Sequence, residues 1–172
     1  VSRYHIMNLL NRKIILVDHN EFSQSVRAIE KAQLLEVVDH HRINDFMTRQ
    51  PVAFRSEIVG STSTIIASMF RENQIPMPSS LAGLLLGAVL SDTLMLMSPT
   101  TTDKDIAEAN ILAALADLDI DTFGKEMFEV SARHGDEPYS ALYGSDLKYF
   151  EIRMKRVGIT QIMVSDLQAI RK

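Results

Sequence analysis

Two short apolar runs, each closed by an acid, frame the first part of the chain: Lys13 to Asp18 (KIILVD) and Leu34 to Asp39 (LLEVVD). Between them, Glu21 to Ala32 places Phe22, Val26 and Ile29 at helical spacing. Strand, helix, strand at this length predicts a βαβ unit and a parallel sheet. Val52 to Ile58 predicts a third strand, and Gly60 to Arg71 a helix with Ser61 or Thr62 as its N-cap. In Pro78 to Thr93, Leu81, Leu84, Leu85, Ala88 and Val89 mark one face while Leu86 and Leu90 fill the other. A helix apolar all round is a buried one. Thr102 followed by Asp105 is a capping arrangement with Asp in place of Glu, opening a helix that runs to about Ala116. Asp121 to Ala132 predicts one more helix. The fold class is α/β.

The polar stretch Arg133 to Pro138 (RHGDEP) breaks this pattern and reads as a linker. After it, Tyr149 to Met154 and Val157 to Val164 predict two strands of a different unit, which reaches Lys172 too soon to hold a core of its own. The first residue is Val rather than Met, so the chain is expected to be a piece of a longer protein.

Composition removes several possibilities. There are no cysteines, so any metal must be held by Asp, Glu, His or water. That absence fits a cytoplasmic setting. Val1 to Leu10 carries no signal-peptide pattern, and the longest apolar run, Leu84 to Leu90, is too short to span a bilayer. No membrane partner is expected. A net charge of −4 argues against a general nucleic-acid-binding surface. An anionic substrate would need local cations.

The chemistry gathers where strands end. Asp18-His19-Asn20 follows the first strand and Asp39-His40-His41 the second. In open parallel sheets, ligands bind beyond the carboxyl ends of the strands. A strand-terminal Asp alone is often only a helix cap, and a lone loop His a surface residue. Two acid–imidazole clusters on neighbouring strands point instead to a metal site. Carboxylates with imidazoles suit Mn2+, Co2+, Fe2+ or Zn2+ better than Ca2+. A third acid, Asp92, ends the long apolar helix, where a carboxylate is costly unless paired or metal-bound.

Longer segments carry a resemblance. Ile15 to Glu21 (ILVDHNE) looks like the DHN motif, and Val37 to Ile43 (VVDHHRI) the DHH motif, of family II, manganese-dependent inorganic pyrophosphatases in the DHH phosphoesterase superfamily. Val59 to Thr64 (VGSTST) looks like the family's helix-opening segment, and Ser91 to Leu94 with Ser98 to Thr100 like its SDT…SPT block. The match runs from about Lys13 to Ser131, and more weakly into the start of a DHHA2-type second domain. The resemblance implies a partial DHH domain over 11–132, a linker over 133–140 and a truncated DHHA2 start over 141–172.

The same resemblance implies that Asp18 bridges two metals and that His40 and Asp92 complete the metal sphere. His41 would face the phosphate as a hydrogen-bond donor, with Asp39 orienting an imidazole as its partner in the catalytic pair. Asn20 and His19 would line the rim, Asn20 towards substrate. Lys155, with Arg156 second, would bind substrate. The implied reaction is hydrolysis of pyrophosphate to two phosphates, with Mn2+ or Co2+ in the site, Mg2+ alongside, and closure of one domain on the other. A homodimer is expected.

Two departures matter. The family's His-x-x-x-Asp-x-Asp segment and its Arg-Lys-Lys clamp are absent from these 172 residues, which predicts low activity for the isolated chain. Val1 to Met7 (VSRYHIM) resembles the closing segment of a CBS domain. Residues 1–10 then read as the tail of such a domain, and the parent as a pyrophosphatase regulated by adenine nucleotides through CBS domains absent here. The rival readings are another DHH enzyme, a nuclease or phosphodiesterase on short or cyclic nucleotides, and a catalytically silent metal-binding fragment. The first rival usually carries a Gly-Gly-His segment that this chain lacks.

Overall fold

The structure, a computed structural model, describes residues 9–10, 12–43, 46–131 and 147–160. The stretch read as a linker and all but the end of the CBS-like segment lie outside the described residues. The chain divides into two compact units, Val1–Asp121 and Thr122–Lys172.

In the first unit, β1 (Lys13–Val17), β2 (Gln33–Asp39) and β3 (Ala53–Ser56) form a parallel sheet in that order. The middle strand shows how the sheet is covered on both sides. Val37 joins a buried cluster with Leu16 and Ile29, while its neighbour Val38 joins another with Val59 and Ile65. Successive strand residues point to opposite faces, so β2 is sandwiched. Burying both faces accounts for the unbroken apolar run in its sequence.

The expected helix between β1 and β2 is not there. Its place is taken by two short 3-10 turns, Phe22–Gln24 and Ile29–Lys31, separated by Ala28 in the left-handed region at φ 64°. Phe22, Val26 and Ile29 nevertheless all reach the same cluster. Spacings of three and four residues fit two tight turns as well as one helix.

The helices are α1 (Thr62–Glu72), α2 (Ser79–Asp92), α3 (Asp103–Ala116) and α4 (Ile120–Ser131). Ser61 caps α1 by accepting the Ser63 N–H, and Thr102 and Asp105 form a reciprocal capping box on α3. α2 packs against α3, and Ala82, Leu86, Val89 and Leu90 on α2, with Ala109, Leu112 and Ala113 on α3, are buried. The expectation of all-round burial for α2 is corrected: Leu84 is 73% exposed.

After α2 the chain makes a left-handed turn of non-glycine residues, with Leu94, Met95 and Leu96 at φ 48°, 59° and 62°. Such residues cost about 1–2 kcal/mol each in that region. Buried Thr93 holds the turn: its hydroxyl donates to Val89 O at 2.6 Å and accepts from Leu96 N at 3.1 Å. The turn delivers residues 98–102 to the rim beyond the strand ends.

In the second unit, β4 (Lys148–Ile152) and β5 (Lys155–Ile159) form an antiparallel ribbon. Arg153 and Met154, at φ 49° and 62°, make the turn, the backbone choice that matches the twist of a two-residue hairpin. The turn thus falls earlier than the expected strand limits placed it, and Lys155 and Arg156 open β5 rather than sit in the turn.

Candidate metal centre

β1 ends at Asp18 and β2 at Asp39, and the parallel register brings both ends to one rim: the Asp18 N–H donates to Val38 O at 3.0 Å. Asp18 takes φ 65°, a left-handed turn that aims its carboxylate off the strand end. Beyond the rim lies an open cleft of about 960 Å3 lined by Asp18, His40, His41, Arg42, Asp92 and Thr100, among others. Asp18, His40 and His41 form a group whose ligand atoms all lie within 4.8 Å of one another.

The tautomers follow from the partners. His40 Nδ1 lies 2.9 Å from Val59 O. A carbonyl can only accept, so Nδ1 carries a proton, and Nε2 is the ring nitrogen left for a proton or a metal ion. Nε2 faces Asp18 Oδ1 at 3.5 Å.

His41 is set the same way by Asp39. Its Nδ1–H donates to Asp39 Oδ1 at 2.8 Å, which leaves Nε2 towards the open side. Asp39 is fully buried, and Oδ1 also accepts the backbone N–H groups of His40 at 2.8 Å and His41 at 3.1 Å. Oδ2 accepts Asn20 Nδ2 at 2.7 Å. Burial alone would push this carboxyl up, but the hydrogen bonds from His41 and Asn20 and the nearby imidazole hold it below the usual carboxylate range. Asp39 therefore stays an anion and orients its imidazole, the arrangement common around metal-ligating histidines.

Asp92, at the end of α2, lines the same cleft. Its Oδ2 accepts the Ser61 hydroxyl at 2.6 Å, and the next residue, Thr62, donates its hydroxyl to Asp18 Oδ1 at 2.8 Å. It stands outside the tight group of three.

Other expected residues are placed differently. Asn20 is 2% exposed, and its amide serves Asp39 and Arg42 O. His19 turns to Val17 O and to the Ser25 hydroxyl. Neither lines the cleft. Lys155 and Arg156 lie on β5 of the second unit. Their side chains take opposite faces of the ribbon, because they are successive strand residues. Arg156 stacks over Tyr149, 4.0 Å from the ring centroid.

The cleft also holds residues that the motifs did not single out. Arg42 lines it and supplies a cation, its only signal being its place after the two histidines. Glu57 lines it too, but Oε1 accepts from Arg55 Nε at 2.9 Å and Oε2 from Lys104 Nζ at 2.5 Å. With both oxygens engaged, Glu57 is a structural acid and not a donor to an ion.

Strand-end carboxylates and imidazoles gather at the rim of a parallel sheet, and the chain belongs to the DHH family. The profile of the DHH family, N-terminal domain, matches residues 2–89. Curated relatives of the chain include proteins named as metal-dependent inorganic pyrophosphatases. The chain is 42% identical over 159 residues to the manganese-dependent inorganic pyrophosphatase of Bacillus subtilis, covering 92% of this chain and 52% of that protein. It is 41% identical over 168 residues to the cobalt-dependent inorganic pyrophosphatase of Clostridium perfringens, covering 98% of this chain and 31% of that protein. A crystal structure described as a family II inorganic pyrophosphatase of Methanococcus jannaschii superposes with a TM-score of 0.78 at 35% identity, covering 96% of this chain and 57% of that one. The chain thus spans about half the length of some curated relatives and less than a third of others.

Proposed function

We propose that the protein to which these residues belong hydrolyses inorganic pyrophosphate at a centre of two divalent cations, Mn2+ or Co2+, with Asp18, His40 and Asp92 as this chain's ligands. The observation that carries the reading is His40 Nε2 facing Asp18 Oδ1 at 3.5 Å while Nδ1 is held by the Val59 carbonyl. The donor set of carboxylates and imidazole without thiolate suits those cations. Cations bound there would polarise a phosphoryl oxygen and lower the pKa of a water.

The chain's own residues would do the rest. Asp39 holds His41 with Nε2 outward, so that the ring presents one nitrogen to a phosphate oxygen and donates when protonated there. Arg42 adds positive charge at the cleft. Lys155 is the preferred second-unit cation for substrate, since Arg156 is engaged with Tyr149. Mg2+ is assigned to the substrate's charge, and attack in line with the leaving phosphate follows the general pattern of phosphoryl transfer.

The finer reading has a DHHA2-type second domain, a homodimer in the cytoplasm, and CBS domains that bind adenine nucleotides. The Clostridium relative matches nearly all of this chain while the chain covers only 31% of it. A Thermotoga maritima relative named a probable manganese-dependent inorganic pyrophosphatase behaves alike, at 100% of this chain against 32% of itself. That added length supports further domains in the parent. Among the described residues no helix is long and apolar enough to cross a membrane.

Phosphate release from pyrophosphate by the full-length protein, metal-free and with Mn2+ or Co2+ restored, tests the reading. Metal-dependent release that disappears in Asp18→Ala is expected. Turnover that survives both EDTA and Asp18→Ala overturns it.

A further inference from the structure

We propose that Ser61 and Thr62 are positioning residues that, with the Val59 carbonyl, set the orientation of all three acid and imidazole ligands at once. The inference rests on the metal reading above. Val59 O accepts the Nδ1–H of His40 at 2.9 Å. The Ser61 hydroxyl donates to Asp92 Oδ2 at 2.6 Å, and the Thr62 hydroxyl to Asp18 Oδ1 at 2.8 Å. One short segment therefore touches residues from three separate elements: the ends of β1, β2 and α2.

The hydroxyls are buried while the carboxylates are open. Ser61 is fully buried and Thr62 is 3% exposed, whereas the Asp18 side chain is 56% exposed. Left alone, an exposed carboxylate samples several rotamers, and fixing it on binding a cation costs conformational entropy. A buried hydroxyl donating to one carboxylate oxygen fixes the rotamer beforehand; on Asp18 that oxygen, Oδ1, is the one facing His40 Nε2, and it keeps a further lone pair for a cation. Ser61 Oγ fills both of its roles without conflict, accepting the Ser63 N–H at 3.2 Å as it donates to Asp92.

The segment is itself immobilised. The Gly60 N–H donates to buried Asp105 Oδ2 at 2.8 Å. A side chain at Gly60 has no room, since its Cβ would lie 2.7 Å from Thr93 Cγ2. Thr64, one turn into α1, donates to Asp105 Oδ1 at 2.6 Å. The start of α1 is thus pinned behind the ligands, as partners that orient metal ligands generally are.

The test is Mn2+ binding to the 172-residue chain, followed by electron paramagnetic resonance of the free ion, with melting of the metal-free chain measured alongside. Thr62→Val keeps the shape and removes the donor. Ser61→Gly removes the hydroxyl at a cap position where glycine is well tolerated. Each should weaken Mn2+ binding about 10-fold or more, and Thr62→Ser should restore it to within about 3-fold, with the metal-free melting of Thr62→Val and Thr62→Ser alike. If Thr62→Val proves too unstable to fold, Ser61→Gly decides. Unchanged Mn2+ affinity in folded Thr62→Val or Ser61→Gly overturns the proposal while leaving the metal site standing. Absence of binding by the unsubstituted chain, or binding that Asp18→Ala does not affect, removes the metal reading and this inference with it.

Discussion

Asp105, in the first turn of α3, reaches across 45 positions of sequence to accept the backbone N–H of Gly60 at 2.8 Å. It accepts three further hydrogen bonds, from Thr64 Oγ1 and from the N–H and hydroxyl of Thr102. A residue that reads from sequence as a helix cap is thus also the tie between two loops that border the cleft. Asp105→Ala would leave these donors unpaired. A buried donor without a partner costs about 1–3 kcal/mol, so the loss in unfolding free energy should be roughly 3 kcal/mol by urea denaturation. A change below about 1 kcal/mol would show that water replaces the carboxylate at no cost.

The same residue sets an acid sensitivity. Burial would raise the Asp105 carboxyl, but the hydrogen bonds from Thr64, Thr102 and Gly60 outweigh it and hold the carboxyl below its usual range. A depressed carboxyl stabilises the fold above its unfolded value of about 3.9, and that contribution fades as pH falls through the lower folded value. Stability of the metal-free chain should therefore decline below about pH 4, and Asp105→Asn should show a shallower decline from a lower plateau. Parallel acid limbs in the two proteins would remove Asp105 from the account.

Gly60→Ala tests space alone, because Gly60 does not sit in the left-handed region. With 2.7 Å to Thr93 Cγ2, 3.1 Å to Asp105 Oδ2 and 3.3 Å to Thr100 O, the methyl forces the neighbours apart. Overpacking of this kind costs about 1–3 kcal/mol. A thermal melt of Gly60→Ala matching that of the parent would show that the loop yields freely.

Asp39→Asn keeps the shape of the side chain but puts an amide N–H2 where only acceptors are satisfied, since Asn20 and His41 donate from its two sides. His41 loses its fixed orientation. Unfolding free energy of the metal-free chain should fall by about 1–3 kcal/mol in urea denaturation, while Mn2+ affinity, to which His41 is not assigned, should be little changed by calorimetric titration. An unchanged unfolding free energy would mean that the ring orientation is held by packing instead.

On the ribbon, the two adjacent cations should separate cleanly. Arg156 shares its face with Tyr149 and Glu151 by the strand register, and Lys155 lies on the other face. In the full-length protein, Lys155→Ala should raise KM for pyrophosphate about 10–100-fold, since a charge-assisted contact contributes roughly 1.5–3 kcal/mol. Arg156→Ala should leave KM near its original value and lower stability by about 1 kcal/mol through the lost stacking. The reverse ranking in steady-state kinetics would reassign the substrate contact.

Much of the rim was legible because its residues end regular elements. Asp18, Asp39 and Asp92 stand where apolar runs stop, and a carboxylate there has few reasons to exist besides capping or chemistry. Ser61 and Thr62 were read as candidate caps, which Ser61 is, but their bonds to Asp92 and Asp18 depend on three elements meeting in space. The two 3-10 turns in place of a helix were hidden for a related reason: the core constrains only where Phe22, Val26 and Ile29 arrive, and periodicity does not record the backbone between them. Asn20 likewise reads as a rim residue from its place two positions after Asp18, while the turn at Asp18 leads it inward to Asp39.

That turn narrows the vocabulary of position 18. With φ 65°, the backbone tolerates Gly, Asn and Asp and penalises nearly every other residue, and of these only Asp offers a carboxylate. Glu would bring the same oxygen donors on a longer stem and a poorer backbone fit. Re-tuning this cleft for a different cation, by drift or by design, therefore has to proceed through its neighbours, because the strand end itself leaves almost no alternative spelling.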